Sequence, residues 1–462
     1  MNIRSKYFAD KTFYKQLFVI ITPIILQFFI QNFINLLDNI MVGQLGEEEI
    51  AAVGSANQYY RLFYPTIVSI CTGASIYTSQ FFGSNKIKEL QKIFGFKLFF
   101  PMLVTILFLV VGFIFPQHII GVFNKEGNPL VQALGEDYLK IVLWSYVPLT
   151  ISTAFTFTLR PLKLTHLPMV SSSIGMLVNL VLNYCLIYGN FFFPRLGVKG
   201  AAIATVIARV VELFIYIIVY YKKDLVFKTK FKNYFILDFS LINNTLRKVF
   251  PLFINEFANS FALVLIFQIF SLSGKSAVSA ITITDVVSQM VFIFANGLGT
   301  ATSILVGYKL GQNDLDGAEE NANYLLGYSL IVGIVILVVL SIAGFVVPQF
   351  YNISGYTRQV TTYTILIQAL FAPMLILTRI FFFILRSGGR VREVVLINGL
   401  FMWVVKVPLA VILGFVFKVD IIILFFAVEA TRVLNTLICI YYYKQKKWRI
   451  NLTLQSKNSS RG

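Results

Sequence analysis

The sequence predicts an all-α, polytopic membrane protein with twelve transmembrane helices, arranged as two six-helix bundles that form a parallel pseudo-two-fold repeat. Of the 462 residues, 57% are hydrophobic and only 13% are charged, whereas a soluble protein would carry about 25% charged residues. Apolar runs recur from end to end, each long enough to cross ~30 Å of hydrocarbon as a helix. The second half of the chain also repeats the first.

The twelve spans follow from the apolar runs and from the polar turns that separate them. The alternating ~10-residue segments that indicate a membrane β-barrel do not occur in the sequence. The first apolar run is a full span and no cleavage site follows it, so we read it as a helix and not as a signal peptide. The predicted spans are residues 15–42, 52–82, 92–116, 136–159, 167–189, 197–221, 249–272, 277–308, 321–347, 361–385, 393–416 and 420–443.

The basic residues predict the topology. The chain has 39 Lys and Arg against 21 Asp and Glu, a formal net charge of +18. Most of the basic residues lie in the termini and in alternate loops, so both termini and the 222–248 loop are expected to be cytoplasmic, in a multi-pass protein of the cytoplasmic membrane. The basic excess therefore reflects topology and contact with anionic lipid headgroups, and does not indicate nucleic-acid binding. Six basic residues fall in loops on the opposite side: Lys125, Arg195, Lys199, Lys275, Arg358 and Lys418.

The two halves repeat at a nearly fixed offset. Four matches share one and the same offset: Pro23 with Pro251, Gly46 with Gly274, Ala52 with Ala280, and Gly83-Ser84-Asn85 with Gly311-Gln312-Asn313. Further along, "TLRP" at 158–161 and "ILRS" at 384–387 match at a slightly shorter offset. Such a repeat is typical of a duplicated transport bundle.

The repeat suggests the domain organisation. We expect an N-terminal lobe (1–221), a basic cytoplasmic linker (222–248), a C-terminal lobe (249–443) and a basic cytoplasmic tail (444–462). Each lobe holds an even number of spans, so both lobes begin and end on the same face of the membrane. A cleft between two such lobes is the expected place for a substrate, exposed to each side in turn as the lobes rock.

The residue types that an enzyme or a primary pump needs are scarce or scattered. Neither the three cysteines nor the two histidines form a metal-binding or catalytic cluster, and no phosphate-binding G-x-x-x-x-G-K-[ST] loop occurs. We therefore expect no enzymatic activity and no cofactor. The residues in question are Cys71, Cys185, Cys439, His118 and His166.

Asp38 is the most informative acid, because it follows about twenty apolar residues in the first span. A carboxylate in hydrocarbon is costly and is a candidate functional site by default. In such a place it can take up a proton, or hold Na⁺ if other oxygens complete the shell. The alternative is that Asp38 lies near the outer interface and ends the helix.

Helix 5 could supply further oxygens. Asn179 and Asn183 are four residues apart, so both amides project from one face of the helix. Thr205 in helix 6 is a further candidate ligand. The alternative for the two asparagines is that they hold neighbouring helices together by hydrogen bonds.

Three stretches of the sequence resemble the multidrug and toxin extrusion (MATE) family. They are "LLDNIMVGQLGEEEIAAVG" at the first turn, "LVLNYCLIYGNFFFPRLGVKGAAIATVIARVVE" at 180–212 and "LRP" at 159–161. The resemblance covers essentially the whole chain. It implies two lobes of six helices and export of small organic cations, driven by inward movement of Na⁺ or H⁺.

The resemblance also implies roles for site residues. The family's helix 1 Asp and two helix 5 positions line a cation pocket, which maps onto Asp38, Asn179 and Asn183. The second helix 5 position is Asp in DinF-type members and Asn in NorM-type members, so this chain is closer to the NorM type. With one protonatable group fewer, a two-carboxylate proton relay in this lobe is disfavoured.

The C-terminal lobe departs from the family pattern. NorM-type members carry a helix 7 Glu at the position of Asn259, whereas here the acid is Glu256, three residues earlier on the same face. The family's helix 10 Asp has no counterpart in "ALFAPMLIL". Glu256, Asn259 and Asp285 are therefore candidates for a substrate site or a second coupling site. Arg209 with Glu212 and Glu429 with Arg432 are read as structural pairs of one helix face.

These observations favour a monomeric secondary antiporter over three rivals. A flippase for lipids or lipid-linked sugars shares this architecture, but would need cations for phosphate, whereas the candidates are mostly acids and amides. A membrane enzyme lacks a convergent set of catalytic residues. A non-transporting receptor or scaffold would not need acids in both halves.

Overall fold

The computed structural model describes residues 6–124, 128–234, 239–351 and 353–454, and these ranges are almost entirely helical, with no strand. Eleven of the described helices are long and apolar enough to cross a membrane. A further helix, Glu47–Gly83, has 37 residues and is more polar. The predicted all-α membrane fold is confirmed.

The long helices are numbered α1–α12 in chain order. In the first half they are α1 Lys11–Gly43, α2 Glu47–Gly83, α3 Ile87–Ile114, α4 Pro129–Leu159, α5 His166–Tyr188 and α6 Val198–Lys222. In the second half they are α7 Phe239–Ser271, α8 Lys275–Gly311, α9 Leu315–Val346, α10 Gly355–Ser387, α11 Val391–Val416 and α12 Ile421–Lys444. Short helices at Pro116–Phe123 and Phe231–Tyr234 and a 3₁₀ turn at Val347–Phe350 lie between them.

Most helices end where the apolar pattern predicts, but several begin earlier. The clearest case is α7, which starts at Phe239 and so includes the last ten residues of the predicted 222–248 linker. The first turns of α2 and α9 carry acidic residues. A helix can continue into headgroups and water, where hydrophobicity no longer marks it.

The repeat seen in the sequence is also present in the backbone. Asn85 and Asn313, which are equivalent in the repeat, both have left-handed φ angles, of 54° and 64°. Each follows a long helix (α2 and α8) and precedes the next by two residues or fewer. Asparagine tolerates this conformation better than other non-glycine residues, so the repeated Asn has the same backbone role in both halves.

Residues 22–249 form one compact unit, and residues 1–21 with 250–462 form the other. The chain passes between units inside α1 and α7, just before the equivalent prolines Pro23 and Pro251. The first turns of α1 accordingly pack on α9, where Phe13 and Tyr324 meet edge to face at 5.2 Å between ring centroids. The lobe, linker and tail boundaries expected from the sequence stay a prediction.

The core of the first unit is built where α2, α4 and α6 meet. Phe63 and Tyr146 stack there with ring centroids 4.1 Å apart and both side chains fully buried. Elsewhere large apolar side chains are exposed, for example Leu107 on α3 at 60%. Such side chains are compatible with a hydrocarbon surround, where their exposure carries no hydrophobic cost.

Candidate functional site

Asp38 lies on α1 in contact with the asparagines of α5. The Nδ2 of Asn183 donates a hydrogen bond to Asp38 Oδ1. In one amide orientation, Asn179 donates to Thr205 Oγ1 at 3.4 Å. In the other, it donates to Asp38 Oδ1 at 3.2 Å and accepts from the Thr205 backbone N–H at 3.3 Å. The structure thus brings together all four residues that the sequence singled out in this half.

Close packing of α5 on α6 positions these side chains. A Cβ at Gly175 would lie 3.2 Å from the Ala208 carbonyl oxygen, and one at Gly200 would lie 2.5 Å from that of Leu186. Glycines therefore let the two backbones approach closely, as small residues do in membrane helix pairs. The approach carries Thr205 of α6 to within hydrogen-bonding distance of Asn179.

Three of the four residues open onto a cavity of about 430 Å³ within the first unit, and Asn183 contacts it through Asp38. Asp38, Asn179 and Thr205 line it together with the aromatic side chains of Tyr60 and Tyr64. Carboxylate, amide and hydroxyl oxygens are the ligands that hard cations prefer. The Oδ1 of Asn183 is buried and has no hydrogen-bond partner among the described residues. An acceptor is therefore available beside the carboxylate.

The predicted pair of α6 is confirmed, since Arg209 Nη1 lies 2.9 Å from Glu212 Oε2. Glu212 also accepts a hydrogen bond from Ser172 Oγ of α5 at 2.6 Å. Both residues of the pair line the Asp38 cavity. Because Glu212 already has two partners, Asp38 is the carboxylate of this cavity without a salt bridge in the described residues.

In the second unit, Glu256 and Asn259 of α7 line a cavity of about 200 Å³. The same cavity is lined by three basic side chains, Arg379, Lys406 and Arg432. Asp285 of α8 is exposed and does not line it. The structure thus brings Glu256 and Asn259 together and leaves Asp285 apart.

The predicted Glu429–Arg432 pair of α12 is also confirmed, but it has a third member that the sequence analysis missed. Lys406 Nζ lies 3.3 Å from Glu429 Oε1. Lys406 ends one of the π-helical turns of α11, Met402–Lys406. The position of this Lys inside a predicted span could have indicated an ion pair, because a charged side chain in the membrane requires a partner.

The basic lining of this cavity differs from the expectation that the candidate sites contain mostly acids and amides. Three cations and one carboxylate, Glu256, line the cavity, and Glu429 pairs with two of these cations from outside the lining. From the sequence, Arg432 was expected in a structural pair, and neither Arg379 nor Lys406 was expected in a site. The missing information was tertiary: Arg379 is on α10, which packs on α12.

Comparisons with known proteins agree with this architecture. A family model described as MatE matches residues 23–185 and again residues 251–412, once in each half. The probable multidrug resistance protein YoeA of Bacillus subtilis is 26% identical over 444 residues, 94% of each chain. The probable multidrug resistance protein NorM of Thermotoga maritima is 22% identical over 439 residues, 94% of this chain and 93% of its own.

Solved structures show the same fold. The MATE transporter VcmN of Vibrio cholerae in its bent form superposes with a TM-score of 0.85 at 17% identity, over 96% of this chain and 98% of that one. A MOP superfamily transporter from Pyrococcus furiosus gives 0.81 at 16% identity, over 96% and 97%. At these identities the likeness concerns the fold alone.

Proposed function

Because this chain belongs to the MatE family, we propose that it is a secondary antiporter that exports small organic cations across the cytoplasmic membrane in exchange for Na⁺ or H⁺. Relatives named as multidrug resistance proteins support the substrate class. The distribution of Lys and Arg supports cytoplasmic termini. The protein acts as a monomer in contact with membrane lipid.

The observation that carries the proposal is Asp38 and its α5 partners at the wall of the 430 Å³ cavity. That volume lies in the range of drug-sized ligand sites. The inorganic cation binds at Asp38 with oxygens of Asn179, Asn183 and Thr205, and in doing so it removes the negative charge that an organic cation requires. Competition of this kind is reciprocal and amounts to roughly 1–3 kcal/mol between coupled sites.

Glu256 and Asn259 form a second site in the other unit, for substrate recognition or for a second coupling ion. Glu256 is the carboxylate that lines this cavity, and it has no salt bridge within the described residues. The nearby Glu429 is held by Lys406 and Arg432. Asp285 is a weaker candidate, since it lies outside the cavity lining. Lipid flipping is not favoured despite the basic lining, because the family and the named relatives point to drug export.

The proposal predicts that Asp38→Asn abolishes gradient-driven efflux of ethidium from membrane vesicles while leaving the amount of protein in the membrane unchanged. The substitution keeps the shape of the side chain and removes the negative charge for which the inorganic and the organic cation compete. Efflux is measured with a Na⁺ gradient and a pH gradient imposed separately, which also identifies the coupling ion.

Asp137→Asn is the matched control, because Asp137 is exposed and pairs at 3.0 Å with the exposed Lys199. We expect this variant to transport like the unmodified protein. Full efflux by the Asp38 variant under both gradients would refute the coupling role of Asp38.

A further inference from the structure

We propose that the N-terminal unit contains a carboxylate-binding site at Arg160, in a cavity that adjoins the one at Asp38 and shares Tyr64 and Arg209 with it. Arg160 follows α4 directly, and its side chain is 6% exposed. It lines a cavity of about 210 Å³ that also contains Gln27, Ser152 and Ser172. This inference rests on the proposed function, because it concerns which molecules the transporter binds.

The guanidinium of Arg160 is held in place but is mostly unused as a donor. Phe28 and Phe157 lie near it, with ring centroids 5.4 and 5.7 Å from the guanidinium carbon. Nη2 donates to Gln27 Oε1 at 2.8 Å. The buried Nε–H has no hydrogen-bond partner among the described residues. A guanidinium group with unpaired N–H groups can bind a carboxylate through two parallel hydrogen bonds.

A second unpaired donor faces the same cavity. The hydroxyl of Ser152 is buried and also has no hydrogen-bond partner among the described residues. Ser152 lies eight residues, about two helical turns, before Arg160. Long side chains point back towards the start of a helix, so the Arg160 side chain extends towards Ser152. Two buried donors without partners in one cavity indicate that the acceptor is a ligand, because such groups are normally satisfied.

The charges of the lining residues call for an anion. Arg209 is neutralised by Glu212 at 2.9 Å, and Glu212 also accepts from Ser172 at 2.6 Å. Arg160 therefore contributes one positive charge that no lining residue neutralises. Asp38 does not compensate it closely, because eleven residues of α1 separate it from Gln27, roughly 16 Å along a helix.

One unit of charge and an apolar wall define the ligand class. A monoanion balances Arg160, whereas a phosphate dianion would leave a negative charge in a poorly hydrated cavity. Phe28, Val68, Phe157 and Met176 form the apolar part of the lining, beside neutral polar side chains such as that of Thr153. The site therefore fits an aromatic or similarly apolar monocarboxylate. This group is part of an exported cation or is a free acid.

A matched pair of dyes tests the site. Rhodamine 110 has a free carboxylate, and rhodamine 123 is its methyl ester. Binding of each to the purified full-length chain is measured by fluorescence anisotropy, with no ion gradient. Arg160→Gln should weaken rhodamine 110 by at least about tenfold, the loss expected for a buried charged contact, and rhodamine 123 by less than about twofold.

Arg386→Gln is the control variant. Arg386 is the equivalent of Arg160 in the repeated "ILRS" stretch but belongs to the other unit. Its guanidinium carbon lies 5.0 Å from the ring centroid of Phe383, and its buried Nε–H also has no partner in the described residues. It should leave the affinity of both dyes unchanged. Equal losses for the two dyes in the Arg160 variant, or equal losses in the two variants, would overturn the proposal.

A competition experiment on the unmodified protein decides the matter even if the Arg160 variant does not fold. Benzoate should displace rhodamine 110, and its uncharged analogue benzamide should not. Direct binding of radiolabelled benzoate would show that free acids enter, whereas displacement only by carboxylated dyes would show that the group must be part of a cation. Insensitivity of rhodamine 110 to benzoate, combined with equal displacement by carboxylated and by esterified dyes, would refute the site. Failure of antiport would appear separately, as absent gradient-driven transport of rhodamine 123.

Discussion

At the scale of single residues, the buried charges of this protein fall into two groups. Glu429 of α12 and Glu212 of α6 are 5% exposed and each is held by a basic partner. Asp38 and Arg160 have no ion-pair partner within the described residues and face cavities. The (i, i+3) spacing was enough to predict the pairs within α6 and α12. The contacts of Arg160 could not be predicted, because its partners lie on other helices.

Glu429 should be the more critical member of its network, because it neutralises both Lys406 and Arg432. Glu429→Gln leaves two largely buried cations, with side chains 12% and 21% exposed, without a counter-charge. We expect a loss of about 3 kcal/mol in the free energy of unfolding in detergent. Denaturant titration of the purified protein measures the loss.

Glu393→Gln is the matched control, because Glu393 forms the same (i, i+3) type of pair with Arg390 at 3.0 Å but is more exposed. It should cost less than about 1 kcal/mol. Similar losses for the two variants would show that burial of the Glu429 network contributes nothing.

At the scale of helices, apolar periodicity predicted all twelve long elements, since each helix end lies near the edge of an apolar run. The starts of α2, α4, α7 and α9 were placed too late, and two of these helices, α4 and α9, begin at a capping side chain. Asn128 and Asp314, which precede α4 and α9, each accept backbone N–H groups with the side chain. A capping residue can be recognised in the sequence, but helix starts placed from apolar runs do not take it into account.

The cap of α9 should make part of the protein's stability depend on pH. Asp314 accepts from Lys309 Nζ at 2.7 Å and from the Gly317 N–H at 2.8 Å, and these bonds lower its pKa below the ordinary 3.8. The contribution of the carboxylate is therefore complete above pH 3.8 and is lost as the pH falls through the lowered pKa. Asp314→Ala should cost about 1 kcal/mol at neutral pH and progressively less in acid.

Asp314→Asn separates the cap from the charge, since Asn caps helices about as well as Asp. Denaturant unfolding at a series of pH values should show that this variant keeps most of the stability and loses the acid dependence of the cap. A cost of Asp314→Ala that is the same at pH 7 and at pH 3 would contradict this account.

The stability of the protein should also depend on the close packing of the central loop against α3. A Cβ at Gly95 of α3 would lie 1.9 Å from the carbonyl oxygen of Tyr234, which ends the short Phe231–Tyr234 helix. Tyr234 is fixed by bonds from its hydroxyl to the Phe227 carbonyl and with the Tyr220 hydroxyl, both at 2.8 Å. Gly95→Ala should cost about 1–3 kcal/mol of unfolding free energy, as overpacking does.

Gly54→Ala of α2 is the control, because nothing lies within 4 Å of a Cβ there. It should be neutral or slightly stabilising in the same thermal or denaturant unfolding experiment. A Gly95 variant as stable as the Gly54 variant would show that the loop does not pack as described.

At the scale of the whole molecule, the duplication could be predicted from the sequence because glycine, proline and asparagine positions recur at one offset. The backbone of Asn85 and Asn313 and the double match to the MatE family agree with it. The passage of the chain between units within α1 and α7 was not predicted, although the equivalent prolines Pro23 and Pro251 lie just after it. The two cavities also differ in charge despite the repeat, so duplication fixed the fold and left the sites free to diverge.

The most direct test of the account is the affinity of the purified protein for ethidium, measured at increasing Na⁺ concentration and at decreasing pH, for the unmodified chain and for Asp38→Asn. We predict that one of the two cations weakens ethidium binding by roughly 5- to 150-fold in the unmodified protein, and that neither cation has an effect in the variant. The same cation dependence in both proteins would contradict the central claim that the carboxylate of Asp38 couples the two movements.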